Sequence, residues 1–171
     1  MIAGVWSVVP MEPEISGGGE WKYEARGECR ILVVDDEESL RYILYQVLSK
    51  FGYRVTLAAS GEEALGVFNP GSYDIVITDL KMPKMDGLEL MQIIHEKDPE
   101  VAFFVITGYP SLESAIESSI QGVYDYLIKP FPLGEIPIKI LQLLEKKQLE
   151  RSVKVLRKNL SEIIEKCKIQ A

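Results

Sequence analysis

Residues 30–34, Arg-Ile-Leu-Val-Val, form a short apolar run that stops at Asp35 and Asp36. Apolar residues at consecutive positions predict a strand covered on both faces. Leu40, Ile43, Leu44, Val47 and Leu48 then recur at helical spacing, and Phe51-Gly52 ends that helix with a glycine. The alternation repeats. Tyr53 to Ala58 is β-rich, and Ser60 with Glu63 three residues on starts a helix through Phe68. Asp74 to Thr78 is a second buried strand ending at Asp79, and Asp86-Gly87 opens a helix carrying Leu88, Leu90, Met91 and Ile94. Val101 to Ile106 ends at Thr107-Gly108, and a helix over 111–121 is closed by Gly122. Val123 to Ile128 runs into Lys129-Pro130. The last helix starts no earlier than Leu133, because Pro137 is tolerated only in a first turn, where its missing amide hydrogen has no helical partner. Five strand–helix pairs predict an α/β fold, a doubly wound parallel sheet with helices on both faces.

The flanks read differently. Residues 1–28 carry a small apolar patch, Val5 to Val9, then Pro10, Pro13 and Gly17-Gly18-Gly19. They are expected to be a disordered leader; with no basic start and a broken apolar stretch they do not make a signal peptide. Beyond Leu144 the helical pattern continues. Leu149, Val153, Leu156, Leu160, Ile163 and Cys167 are spaced 4, 3, 4, 3, 4, a heptad seam. A helix reaching about residue 168 would be roughly 50 Å long at 1.5 Å per residue. Residues 147–171 are therefore a helical or coiled-coil extension. It either dimerises the chain, leads to an output domain, or lies on its own domain.

Charge sharpens this division. The 171 residues carry a net charge of −7, but residues 1–145 hold 23 acidic and 11 basic groups while residues 146–171 hold 3 acidic and 8 basic. The acidic body excludes a globally basic nucleic-acid binder. The basic tail lacks aromatics and any DNA-binding motif, so its charges read as a solvated helix face and DNA binding is not expected of this chain alone. No apolar run reaches the roughly 18 residues of a membrane span. Two cysteines, Cys29 and Cys167, are too few for a disulfide framework or zinc site, and a cytoplasmic setting would keep them reduced.

In a doubly wound sheet the site lies outside the carboxyl ends of the strands. There the sequence places Asp35 and Asp36, Asp79, Thr107 and Lys129. Taken singly, each has a dull reading: helix caps, a turn acid, a loop hydroxyl, a solvated lysine. Together they are a different proposition. Three converging carboxylates raise one another's pKa values, and a hard divalent cation such as magnesium resolves the repulsion with oxygen ligands. A lysine neutralises a phosphoryl group, and a threonine hydroxyl donates to its oxygen. Nucleophile, metal, cation and hydroxyl donor are what an aspartyl phosphate needs.

Residues 29–146 resemble the receiver domain of two-component response regulators. The resemblance rests on Ile31-Leu-Val-Val-Asp-Asp-Glu37, on Asp74-Ile-Val-Ile-Thr-Asp-Leu-Lys-Met-Pro-Lys-Met-Asp-Gly87, on Val105-Ile-Thr-Gly-Tyr-Pro110 and on Tyr124-Asp-Tyr-Leu-Ile-Lys-Pro-Phe131. It implies a flavodoxin-like sheet of strand order 2-1-3-4-5. It also implies Asp79 as phosphoacceptor, Asp36 as direct magnesium ligand, Asp35 acting through water, and the Lys81 backbone carbonyl completing the metal site. Thr107 matches the switch hydroxyl, Lys129 the phosphate-pairing lysine and Tyr126 the switch aromatic, with a cis bond between Lys129 and Pro130. Lys81 and Tyr109 match positions that tune the lifetime of the phosphoryl group. The implied partner is a sensor histidine kinase or a histidine phosphotransfer protein. The implied output is a changed surface on the fourth helix, fifth strand and fifth helix. A homodimer is expected through that surface or, on the heptad spacing of the tail, through the C-terminal helix.

A stand-alone or relay receiver is the expected function. The alternative is the receiver of a transcription regulator or hybrid kinase. An acid-phosphatase-like enzyme would want a second acid two residues after the nucleophile, where Lys81 stands, so no enzyme beyond the receiver's own phosphoryl transfer and dephosphorylation is expected. A degenerate receiver is disfavoured by the intact acids, Thr107 and Lys129. His95, the one histidine, is expected at the surface near the end of its helix. Gly66 weakens the second helix by about 1 kcal/mol against alanine.

Overall fold

The computed structural model describes residues 29–108 and 122–169. In chain order the elements are β1 (Arg30–Val34), α1 (Glu38–Lys50), β2 (Arg54–Ala58), α2 (Gly61–Val67), β3 (Ile75–Asp79), α3 (Gly87–Lys97), β4 (Ala102–Thr107), β5 (Val123–Ile128) and α4 (Glu135–Ile169). The expected leader, the helix expected over 111–121 and Tyr109 lie outside the described residues. The strands form one sheet in the order β2-β1-β3-β4-β5, parallel at every pairing.

The apolar runs explain the order of burial. The central strands β3 and β4 are buried along their whole length, and β1 from Ile31 on, whereas the edge strands β2 and β5 are mostly half-buried. Alternation along each central strand feeds two separate cores. Leu32, Val34, Val76, Phe103 and Val105 face Ala64 and Phe68 with Leu90, Met91 and Ile94 of α3. Ile31, Val33, Ile75, Ile77, Phe104 and Ile106 face Leu44 and Leu48 of α1 and Ile136, Ile140 and Leu143 of α4. Fully burying such side chains stabilises by about 2 kcal/mol each. This two-sided covering keeps every strand parallel and delivers every strand's carboxyl end to one edge.

Local chemistry sets the helix starts. Ser60 Oγ accepts from the Glu63 amide at 3.2 Å, while the Glu63 carboxylate accepts from the Ala59 amide at 2.7 Å rather than from Ser60 itself. Asp86 Oδ1 accepts from the Glu89 amide at 2.9 Å at the start of α3. Pro137 falls in the first turn of α4. That helix runs unbroken for 35 residues. Its first turns are tied to the sheet by the Lys139–Asp125 ion pair, by Lys146 Nζ 5.5 Å from the centre of the Tyr124 ring, and by Lys147 donating to the Glu100 carbonyl.

His95 departs from the surface position expected of it. It is half-buried, and its Nδ1 is fully buried with no hydrogen-bond partner among the described residues. The reason is the turn into β5. Gly122 has φ +99°, a backbone conformation open to glycine, and a Cβ there would lie 3.2 Å from His95 Nδ1 and 3.3 Å from the Phe103 ring. The backbone thus closes over the histidine in a way helical spacing does not reveal.

Candidate functional site

The carboxyl edge gathers side chains from four strands. Asp35 follows β1 directly and is buried, and Asp36, next to it, is exposed. Asp79 ends β3 and Thr107 ends β4; both are buried. Lys129 follows β5. Carboxylate oxygens of Asp35, Asp36 and Asp79 all lie within 4.8 Å of one another. Lys129 Nζ donates to Asp79 Oδ2 at 2.6 Å and to Asp35 Oδ2 at 3.3 Å. Of the acceptor oxygens, Asp79 Oδ1 takes the Lys81 amide at 3.0 Å and Asp35 Oδ1 the Glu37 amide at 2.8 Å. The Lys129 amide donates to the Thr107 carbonyl at 2.8 Å, which locks the end of β5 beside β4, and the Lys129–Pro130 peptide is cis.

The electrostatics are one-sided. Burial pushes the Asp35 carboxyl above the usual carboxylate range and the Asp79 charge adds to it; the Glu37 amide and Lys129 pull the other way without cancelling it. Burial alone would lower the Lys129 ammonium, but its hydrogen bond to Asp79 and the charges of Asp35 and Asp79 outweigh that, and its pKa is raised. Among the described residues Lys129 is the cation in ion-pair contact with these acids. Three ionised carboxylates against one ammonium leave two negative charges, the complement of one divalent cation. The donors are all hard oxygens, and one carboxylate is exposed, so the set suits a metal that keeps water ligands.

Tyr126 is half-buried and packs beside the core that holds Val105, its register partner on β4. Strand alternation puts Thr107 on the same face as Val105. Lys81 is exposed, in the loop after β3, where Lys84 adopts φ 70°. Two further residues bear on the site and were not singled out for it. Gly87 donates its amide to the Leu80 carbonyl at 3.0 Å, and a Cβ there would sit 2.2 Å from the Asp79 carbonyl oxygen. Only a glycine lets α3 start this close to the strand end. Arg41, in the first turns of α1, donates from Nη1 to the Asp35 carbonyl at 2.6 Å and holds the acidic turn down. The sequence signal for Arg41 was its place one turn into a helix that begins just after the acids.

Residues 31–141 match the family described as the response regulator receiver domain. The chain belongs to that family. It is 31% identical over 132 residues to the regulatory protein AtoC of Escherichia coli, covering 77% of this chain and 29% of AtoC. A receiver domain protein from Clostridium thermocellum is 35% identical in sequence, with a TM-score of 0.64 over 71% of this chain and 98% of that one. The response regulator TrrA of Thermotoga maritima, solved in complex with Mg(2+)-BeF, is 37% identical with a TM-score of 0.61, over 67% of this chain and 98% of that one. The chain spans less than a third of the length of AtoC and ZraR. Among the described residues no helix is long and apolar enough to cross a membrane.

Proposed function

We propose that this receiver is a phosphorylation-controlled switch that takes a phosphoryl group on Asp79 from a histidine kinase or histidine phosphotransfer protein in the cytoplasm. The observation that carries the reading is the imbalance at the sheet edge: three clustered carboxylates, one lysine already in contact with two of them, and one carboxylate exposed. Magnesium held by Asp35, Asp36, Asp79 and the Lys81 backbone carbonyl would supply charge neutralisation to the phosphoryl oxygens. The rest belongs to the chain. An Asp79 oxygen bonds to phosphorus as the phosphorus–nitrogen bond of the donor phosphohistidine breaks, leaving the electron pair on the imidazole nitrogen. The Lys81 amide already holds one Asp79 oxygen at 3.0 Å and so orients the carboxylate. Lys129 shifts from the carboxylate to the incoming phosphoryl oxygen, keeping its charge, which its raised pKa favours. The Thr107 hydroxyl turns to donate to the phosphoryl group, and Tyr126 fills the space it leaves. This is a local charge event read out by a two-state element, the surface that includes β5 and α4. Lys81, at the mouth of the site, obstructs the attacking water, and position 109, outside the described residues, is the second lifetime-tuning position that the resemblance implies; the expected phosphoryl lifetime is longer than seconds, and loss of radiolabelled phosphate within seconds in magnesium contradicts this.

A second reading, the receiver segment of a longer transcription regulator, is favoured by one observation: the chain spans 29% of AtoC. The site chemistry is the same in both.

Fluorine NMR with beryllofluoride and magnesium tests the site. Wild type is expected to bind the anion, and Asp79→Asn, shown folded by circular dichroism, is expected not to. Binding that survives Asp79→Asn overturns the assignment of the phosphoacceptor.

A further inference from the structure

Beyond Lys147 the last helix carries an apolar stripe with none of the described residues over it. Leu149, Val153, Leu156, Leu160 and Ile163 are between 39% and 66% exposed, and every described side chain from Gln148 to Glu165 is exposed. The direction of the stripe decides what can cover it. At 3.6 residues per turn, the stripe lies roughly 150° around the helix from the face formed by Ile136, Ile140, Leu143 and Lys147, which packs on the sheet. The chain's own receiver is therefore on the wrong side of the helix to cover it. The basic residues Arg151, Lys154 and Lys158 fall nearly in line with the sheet-packed face, leaving the stripe free of lysine and arginine along its centre.

We propose that the stripe is the seam of a parallel, in-register, two-stranded coiled coil with a second copy of this chain. The inference rests on the helix and not on the phosphorylation chemistry. Three features support the second copy. The 4, 3, 4, 3 spacing is self-complementary, since each apolar layer meets its own equivalent in the partner. Nucleation is already met, because residues 135–147 are held helical by the receiver and the seam only propagates the helix. The receivers sit on the outer sides of the two helices, so two acidic bodies stay apart with both helices between them.

Arg157 also chooses the direction. An antiparallel pair centred on the seam sets Arg157 against Arg157 at its middle. The parallel pair has one like-charge contact, Glu145 against Glu150 of the second copy, at the solvated base of the coil.

The chain supplies its own reporter. Cys167 continues the seam spacing, and the other cysteine, Cys29, is buried in the core. Sedimentation of the full chain across a micromolar concentration series is expected to show a monomer–dimer equilibrium, and a short bis-maleimide is expected to join Cys167 to Cys167. Leu156→Glu and Leu160→Glu, at exposed positions, are expected to give monomers that still bind beryllofluoride with magnesium, and Cys167→Ser to abolish cross-linking but not dimerisation. A wild-type monomer throughout the series overturns the proposal. So does a dimer that survives Leu156→Glu, which would place the contact on the receiver. A dimer lost with Leu156→Glu but never joined through Cys167 overturns the parallel register, and a trimer or tetramer overturns the two-stranded assembly.

Discussion

The two ends of the sheet use the same residue types to different ends. At the amino end one charge meets one charge: Arg30 holds Asp74 through its backbone amide at 2.9 Å and its guanidinium at 3.3 Å. At the carboxyl end Asp35, Asp36 and Asp79 share Lys129. The stoichiometry is what differs. A balanced pair is structural, whereas two surplus negative charges make a place where a cation and a phosphoryl group change the energy most. The backbone tells the same story. Gly87 brings the start of α3 against the Asp79 carbonyl, a fit made for position at the cost of tolerance.

That contrast can be broken from either end. The largest expected effect is Gly87→Ala. Its Cβ would have to displace the Asp79 backbone, so it should destabilise the protein by about 3 kcal/mol and abolish beryllofluoride binding, measured by urea unfolding and fluorine NMR. Next is magnesium itself. Ligand binding at a hundredfold excess over Kd raises stability by about 2.7 kcal/mol, so thermal unfolding should shift upward with magnesium in wild type. It should shift much less in Asp36→Asn and as fully as wild type in Asp74→Asn.

The amino end has a pH signature of its own. Burial, with Asp74 adding to it, raises the Cys29 thiol from 9.0 to about 12. Its neutral form is favoured by folding, so that contribution is complete below pH 9 and is lost as pH rises from 9 toward 12, by at most about 1.4 kcal/mol per pH unit. Above pH 9 wild type should lose stability faster than Cys29→Ala. In Cys167→Ser, Cys29 should label with maleimide only on unfolding. The smallest effect is expected of Arg30→Ala. A half-exposed pair contributes about 0.5 kcal/mol, and the loss should be the same with and without magnesium.

Much of this was legible in the chain. Each central strand is a short apolar run ending in an acid or a hydroxyl, so strand ends and site residues came from one signal. The last helix was legible too, because no glycine or proline interrupts 138–171. What escaped depended on distance across the fold. Gly87 reads as an ordinary helix opener until the Asp79 carbonyl is seen against it. Arg41 reads as a surface charge until the turn of Asp35 curls beneath it. His95 lies under Gly122, 27 residues away, and helical periodicity is blind to a loop that closes over a helix end.

The most direct measurement of the central claim is phosphoryl incorporation from a small phosphodonor in magnesium, followed by borohydride trapping and peptide mapping. One phosphoryl group, magnesium-dependent and mapped to Asp79, is the predicted result. Incorporation at Asp35 or Asp36, or equal labelling without magnesium, would contradict it.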